Sequence, residues 1–298
     1  MNLRVVSPGF QTHVQDLGRF GYTGLGISAS GAADTISLRA GNLLVGNPEN
    51  APALEMTLVG GAFEFDGDAV VAITGSDFGA SVPAWRAVNC RAGETLRLGA
   101  ARSGARCYLC IQGGIDVPQV LGSASTHLSS GIGGFEGRAL RKGDVLRIGM
   151  NSGPVQRKVP KLLPDTLSRK ALRVTPGLQA GWFPDAALCG PTWRVTEESS
   201  RMGLRLSGPR ILPHTPQELL TEGVSVGAIQ VPSGGQPIIL FVEHQTTGGY
   251  PKIANVISAD LPVVGQLRPR DEVRFEPVGF DEARRLLLEQ EEAILALA

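Results

Sequence analysis

Short stretches of β-branched and alternating apolar residues recur through the first half of the chain, at 69–74, 94–98, 106–112 and 144–148, each bounded by Gly, Asp or Ser. Alternation puts successive side chains on opposite faces, so each stretch predicts a strand, and their spacing predicts a barrel or sandwich. One segment keeps a helical period instead. Over 34–44, Ile36, Leu38, Ala40, Leu43 and Leu44 supply the apolar positions, Asp34 can cap the first turn and Gly46 follows the last. The second half resumes strands at 172–175, 193–196, 228–231, 238–243 and 272–276. It closes with a predicted helix from Asp281 to about Leu297, with Ala283, Leu286, Leu287, Ile294 and Leu297 near helical spacing.

Between 151 and 170 the pattern lapses into Pro, Lys, Arg and Ser, with Pro154, Pro160 and Pro164 and no sustained period. The expected organisation is a β domain over 1–153, a linker over 154–170 and a second β domain over 171–298 that carries the terminal helix. Residues 106–148 and 236–275 echo each other. Each runs from a strand through a Gly-Gly turn and a proline-containing segment to a charged turn, Lys142-Gly143-Asp144 or Arg268-Pro269-Arg270-Asp271, before a last strand. Two copies of one β unit are the simplest reading.

Composition narrows the picture. The 298 residues hold 28 Lys and Arg against 28 Asp and Glu, so no charge excess favours nucleic acid or an anionic membrane surface. Hydrophobic residues at 42% and charged residues at 19% exclude a disordered chain, and Gly 39 with Pro 20 supplies many turns. No apolar run approaches the roughly 18 residues of a membrane-spanning helix, and the first residues lack a basic start followed by an apolar run, which points to the cytoplasm. Cys90, Cys107, Cys110 and Cys189 are too few for a disulfide framework and are expected as reduced thiols.

Several standard sites are missing: no phosphate-binding Gly-x-x-x-x-Gly-Lys-Ser/Thr, no dinucleotide-type Gly-x-Gly-x-x-Gly between strand and helix, no Gly-x-Ser-x-Gly and no His-Glu-x-x-His. Cys107 and Cys110 have chelating spacing, but within a strand they point to opposite faces. His13, His127, His214 and His244 are scattered. No metal site is expected.

Four segments carry more polar and glycine character than a fold requires. They are Gln15-Asp16-Leu17-Gly18-Arg19; Ser30-Gly31-Ala32-Ala33-Asp34, whose helix N-terminus could hold an anion; 221–232, with Glu222 and Gln230; and Glu243-His244-Gln245-Thr246-Thr247-Gly248-Gly249-Tyr250-Pro251-Lys252. The last follows an apolar strand directly. Its amide, hydroxyls, glycine N–H groups, phenol and ammonium suit recognition of a small amide or acyl phosphate.

These segments, with Asn42-Leu43-Leu44-Val45-Gly46-Asn47, Gly113-Gly114-Ile115-Asp116-Val117-Pro118, Leu121-Gly122-Ser123, Arg201-Met202-Gly203 and Arg205-Leu206, resemble in order the allophanate hydrolase subunit 2 family. This is also called the biotin-dependent carboxyltransferase or KipA-like family, and it includes the C component of bacterial 5-oxoprolinase. Ser200, Glu243 and Ala33 stand where Asp, Asp and Met are frequent in it. The resemblance implies a mainly β chain of two cyclophilin-like β-barrel domains. It also implies a KipI-like partner, the B component of 5-oxoprolinase, with a separate A component completing the enzyme, and opening of 5-oxoproline to L-glutamate with ATP used at the level of the complex. Alternatives within the family are carboxyl transfer to urea or a related amide, with biotin supplied in trans, and a non-catalytic regulatory partner.

On that reading Gln245, Thr246 and the Gly248 and Gly249 amides are expected as donors to a developing oxyanion, and Asp34 or Glu222 as general base. Arg19, Arg201 or Lys252 would hold a carboxylate or phosphate, and Asp16, Ser30, Gln230 and Tyr250 complete the expected substrate-binding set.

Overall fold

A computed structural model describes residues 1–150, 159–215 and 218–297. They fold into two compact units. Met1–Arg19, Ser30–Leu167 and the chain end from Glu292 form the first; Phe20–Ala29 and Ser168–Glu291 form the second.

The first unit contains β1 (Asn2–Ser7), β2 (Gln11–Gln15), α1 (Thr35–Leu44), β3 (Ala53–Thr57), β4 (Ala62–Phe65), β5 (Ala69–Gly75), β6 (Ala87–Cys90), β7 (Thr95–Arg97), β8 (Arg106–Ile111), β9 (Ile115–Asp116), β10 (Val145–Ile148) and α2 (Leu162–Thr166). Two five-stranded sheets, in the orders β7-β4-β1-β10-β9 and β2-β3-β8-β5-β6, share one apolar core. Leu3, Val5, Phe63, Phe65, Leu146 and Ile148 of one sheet are buried with Leu54, Met56, Val71, Ile73 and Leu109 of the other.

Strand β8 shows how the period of two builds both layers. Cys107, Leu109 and Ile111 enter this core, while Tyr108 and Cys110 point the other way, against Leu38 and Leu44 of α1. The two cysteines thus lie on opposite faces, as the strand period requires, and burial pushes both thiols far above their usual range. All four cysteines are free thiols. Asp34 caps α1 as expected, its carboxylate accepting from Ser37 N at 3.0 Å. Gly41 sits where α1 crosses the sheet; a β-carbon there would lie 2.6 Å from Cys110 Sγ and 2.8 Å from Thr74 Oγ1. Of the expected linker, 154–158 lies outside the described residues, and its later part forms α2, whose Leu163 is buried with Ile36, Ala40, Leu43, Ile294 and Leu297.

The second unit contains β11 (Ala171–Pro176), β12 (Trp193–Val195), β13 (Gly203–Ser207), β14 (Glu222–Gly223), β15 (Ala228–Gln230), β16 (Ile238–Leu240), β17 (Thr247–Gly248), β18 (Lys252–Val256), α3 (Leu261–Val264), β19 (Glu272–Pro277) and α4 (Phe280–Leu295). A closed seven-stranded barrel runs β11-β18-β15-β16-β13-β12-β19, and β14 pairs separately with β17. Closure leaves the barrel no open edge. The mainly β expectation holds.

The predicted strand 238–243 is shorter in the structure. After Leu240 the chain turns, with Phe241 N donating to Met202 O and Glu243 N to Arg201 O, so residues 241–243 leave the ladder and lead into the polar loop. The β15–β18 register shifts between Ile229 and Gln230: Ile229 opposes Ala254, and Gln230 opposes Lys252. Such a bulge re-aims side chains at a barrel rim. Helix α4 has residues up to Glu291 in the second unit, where Gln290 Nε2 donates to Ala259 O, and its end from Glu292 in the first.

Candidate functional site

In the second unit, two strand pairings gather the expected residues. The bulged β15–β18 pair places Gln230 opposite Lys252, and the short β14–β17 ladder places Glu222 opposite Gly248. Lys252 Nζ donates to Glu222 Oε1 across this junction; the ammonium side chain is 5% exposed, the carboxylate 33%. That hydrogen bond and the lysine charge hold the Glu222 carboxyl below its usual range, against burial, which raises it. Glu222 is therefore a carboxylate at neutral pH.

Gln179, beside the turn Ala180–Trp182, ties the pair down. Its Oε1 accepts from Lys252 N at 3.0 Å and its Nε2 donates to Glu222 Oε1 at 3.1 Å. A second amide chain lies alongside: Gln230 Nε2 donates to Tyr250 O at 3.4 Å, and Gln245 Nε2 donates to Gln230 Oε1 at 3.3 Å. Gly248 lies against both amides, since a β-carbon there would be 2.7 Å from Gln230 Nε2 and 3.6 Å from Gln245 Nε2. Gln230 is buried, whereas Gln245, Gly249 and Tyr250 are exposed. The backbone oxygen of Thr246 accepts from Val224 N at 3.1 Å, which fixes the loop to the segment after β14.

Arg201 is placed at the base of the same loop. Its Nε meets Glu243 Oε1 at 2.5 Å, both side chains are buried, and the backbone bond from Glu243 N to Arg201 O closes the contact. The guanidinium has an anion within the protein, so the geometry fits a clamp on the loop entrance. His244 Nδ1 lies 2.6 Å from Gln245 O, and because a carbonyl only accepts, that nitrogen carries the proton. Burial lowers the His244 pKa, outweighing this hydrogen bond.

The remaining expected residues are brought together in the first unit. Asp16 accepts from Gly18 N, Ser123 Oγ and Ala124 N at 2.6–2.8 Å, and also from Ser125 Oγ. Arg19 donates to Ser125 O and Ser30 Oγ to Thr126 O. Ala32 N donates to Asp16 O, so the Ser30–Asp34 segment is fastened to the Asp16 turn. Gly31 makes this approach feasible: its φ is +91° and a β-carbon would lie 2.7 Å from Leu17 O. The carboxylate of Asp34 accepts from Ser37 N and, at 2.6 Å, from Ser37 Oγ. The anion expected at the α1 N-terminus is thus the chain's own Asp34, whose charge disfavours a second anion there.

Sequence reasoning missed the groups beneath this network. Glu55, fully buried in β3, accepts from Tyr108 Oη at 2.7 Å and Ala33 N at 2.9 Å, with Arg106 Nε at 3.5 Å; Tyr108 Oη accepts in turn from Asp34 N. Burial, with Glu55 beside it, pushes the Tyr108 phenol well above its usual range. A lone carboxylate in the apolar strand Ala53–Thr57 was the available signal for Glu55. Gln179 had none. Among the described residues no group of three or more His, Cys, Asp or Glu could hold a metal ion, and no helix is long and apolar enough to cross a membrane.

A closed barrel, antiparallel except where β11 and β19 close it in parallel, carries an amide-rich loop at its rim, and the two-sheet unit carries a buried polar network. The carboxyltransferase domain, subdomain A and B, matches residues 25–277. The chain belongs to this carboxyltransferase-domain family. It is 40% identical to the C component of the 5-oxoprolinase of Escherichia coli over 99% of this chain and 97% of that protein. It is 40% identical to the C component of the Haemophilus influenzae 5-oxoprolinase over 92% of this chain and 90% of that one. The crystal structure of Kluyveromyces lactis urea carboxylase superposes on 100% of this chain with a TM-score of 0.92 at 33% identity, the match spanning 29% of that protein.

Proposed function

We propose that the chain is one component of a cytoplasmic ATP-dependent 5-oxoprolinase, working with a KipI-like B component and a separate A component to open 5-oxoproline to L-glutamate. The single observation that carries the reading is the 40% identity to the C component of 5-oxoprolinase along nearly the whole of both chains. The site on this chain is the Gln179–Glu222–Lys252 centre with its amide loop. Lactam hydrolysis must take a proton from water and give one to the departing nitrogen. Glu222, held ionised by Lys252, can accept the first, and the Lys252 ammonium can supply the second, after which the pair re-equilibrates. The Thr246 hydroxyl and the Gly249 amide are the donors toward the developing oxyanion, the Gly248 N–H being committed to the β14–β17 ladder.

ATP enters at the level of the complex. The α1 N-terminus carries the Asp34 carboxylate and Lys252 is paired with Glu222, so neither fits a phosphate cradle, and no step on this chain is routed through the nucleotide. The likeness to urea carboxylase supports a second reading, carboxyl transfer to urea or a related small amide, with biotin supplied by another chain. The test is ATP-dependent glutamate release from 5-oxoproline by the chain mixed with its A and B partners, each component omitted in turn. Loss of release when this chain is left out is the expected result. Release that persists without it contradicts the proposal, and carboxylation of urea in its place favours the second reading.

A further inference from the structure

The amide loop has a polarity that the donor role expected for Gln245 does not anticipate. Tyr250 O, being a backbone carbonyl, can only accept, so the Gln230 amide must turn its Nε2 toward it, at 3.4 Å. Gln230 Oε1 is then directed to Gln245, whose own Nε2 lies 3.3 Å away. The sequence of donors and acceptors is fixed from the backbone outward: carbonyl, amide N–H, amide oxygen, amide N–H. The last group is Gln245 Oε1, on an exposed side chain, and it makes no hydrogen bond among the described residues. Reversing the Gln245 amide would set two oxygens against each other at Gln230. Gly248 keeps the space beside both amides open, because any side chain there would strike Gln230 Nε2.

We infer that Gln245 Oε1 is a specificity element that accepts a hydrogen bond from the N–H of a small amide or lactam, its direction set by Gln230 and the Tyr250 carbonyl. The inference rests on the proposed function and names what the loop reads: a substrate bearing N–H is favoured over an isostere that lacks it. Gln230 is the positioning residue, buried, with its Nε2 on Tyr250 O and its Oε1 accepting from the outer amide.

The experiment uses the reconstituted complex. It compares KM for 5-oxoproline with the inhibition constant of the γ-lactone in which the ring N–H is replaced by oxygen. In the unsubstituted complex the lactone is expected to bind about tenfold more weakly, the size of one net hydrogen bond. Gln245→Ala is expected to raise KM for 5-oxoproline about tenfold while leaving the lactone constant within about twofold. Gln230→Leu, which releases the outer amide to turn, shifts the same ratio in the same direction. A purely structural role would weaken both ligands together. The inference is overturned if lactam and lactone bind equally to the unsubstituted complex, or if Gln245→Ala moves both constants in parallel. If the unsubstituted complex opens no 5-oxoproline at all, the proposed function fails, and this inference with it.

Discussion

Lys252 owes its place to three partners of different kinds: a carboxylate on its ammonium, a glutamine on its amide and a strand partner, Gln230, across the bulge. Removing Gln179 takes away two of the bonds that hold this geometry, so Gln179→Leu is expected to lower kcat/KM of the reconstituted complex about tenfold while the chain still folds. Unchanged kcat/KM would remove Gln179 from the site. His244 provides a pH reporter beside the loop. Its folded-state pKa lies below the ordinary 6.5, so the unfolded chain binds more protons between the two values. His244 thus contributes stability that is complete above about 6.5 and is lost as pH falls through the folded pKa. A proton-detected titration should place the His244 midpoint below 6.5, and a midpoint at or above it would contradict the burial of the ring. At this scale the loop from Glu243 to Lys252 was legible because its polar groups are contiguous in sequence. Gln179 was not, because its partners lie 43 and 73 residues further on and a single glutamine carries no spacing.

Helix α1 was legible in both its cap and its apolar face, because a helix is specified by neighbours within a few residues. Its crossing point was not. Glycine inside a helix ordinarily costs about 0.5–1 kcal/mol relative to alanine, so Gly41→Ala would stabilise an isolated helix. Here the added methyl would meet Cys110 Sγ and Thr74 Oγ1 below 3.0 Å, and the substitution is expected to destabilise by about 1–3 kcal/mol in urea unfolding. A gain in stability would show that α1 is free to lift from the sheet. Asp34→Ala, which removes the cap bonds to Ser37, should cost about 1–2 kcal/mol by the same measurement, whereas Asp34→Asn, which keeps an acceptor, should cost less. The strands β14 and β17, of two residues each, were beyond reach of any periodicity. So was the β15–β18 bulge, which depends on how two strands pair and not on either alone.

For the whole molecule, hydrophobic alternation was enough to announce a mainly β chain, and the ordered motifs were enough to announce its family. The passages of the chain between its two units were less visible. Residues 20–29 join the second unit, and the crossing at 291–292 falls inside α4, where no proline or glycine marks a change. Compositional breaks record only where a chain is allowed to be irregular. The central claim is that the Glu222–Lys252 pair in the second unit serves lactam opening. It is tested most directly by steady-state ATP-dependent glutamate release from 5-oxoproline in the complex reconstituted with Lys252→Met. This variant keeps the length and volume of the buried stem and removes only the ammonium. The expected result is a fall in kcat of about a hundredfold or more with complex formation intact; kcat within about twofold of the unsubstituted complex would contradict the claim.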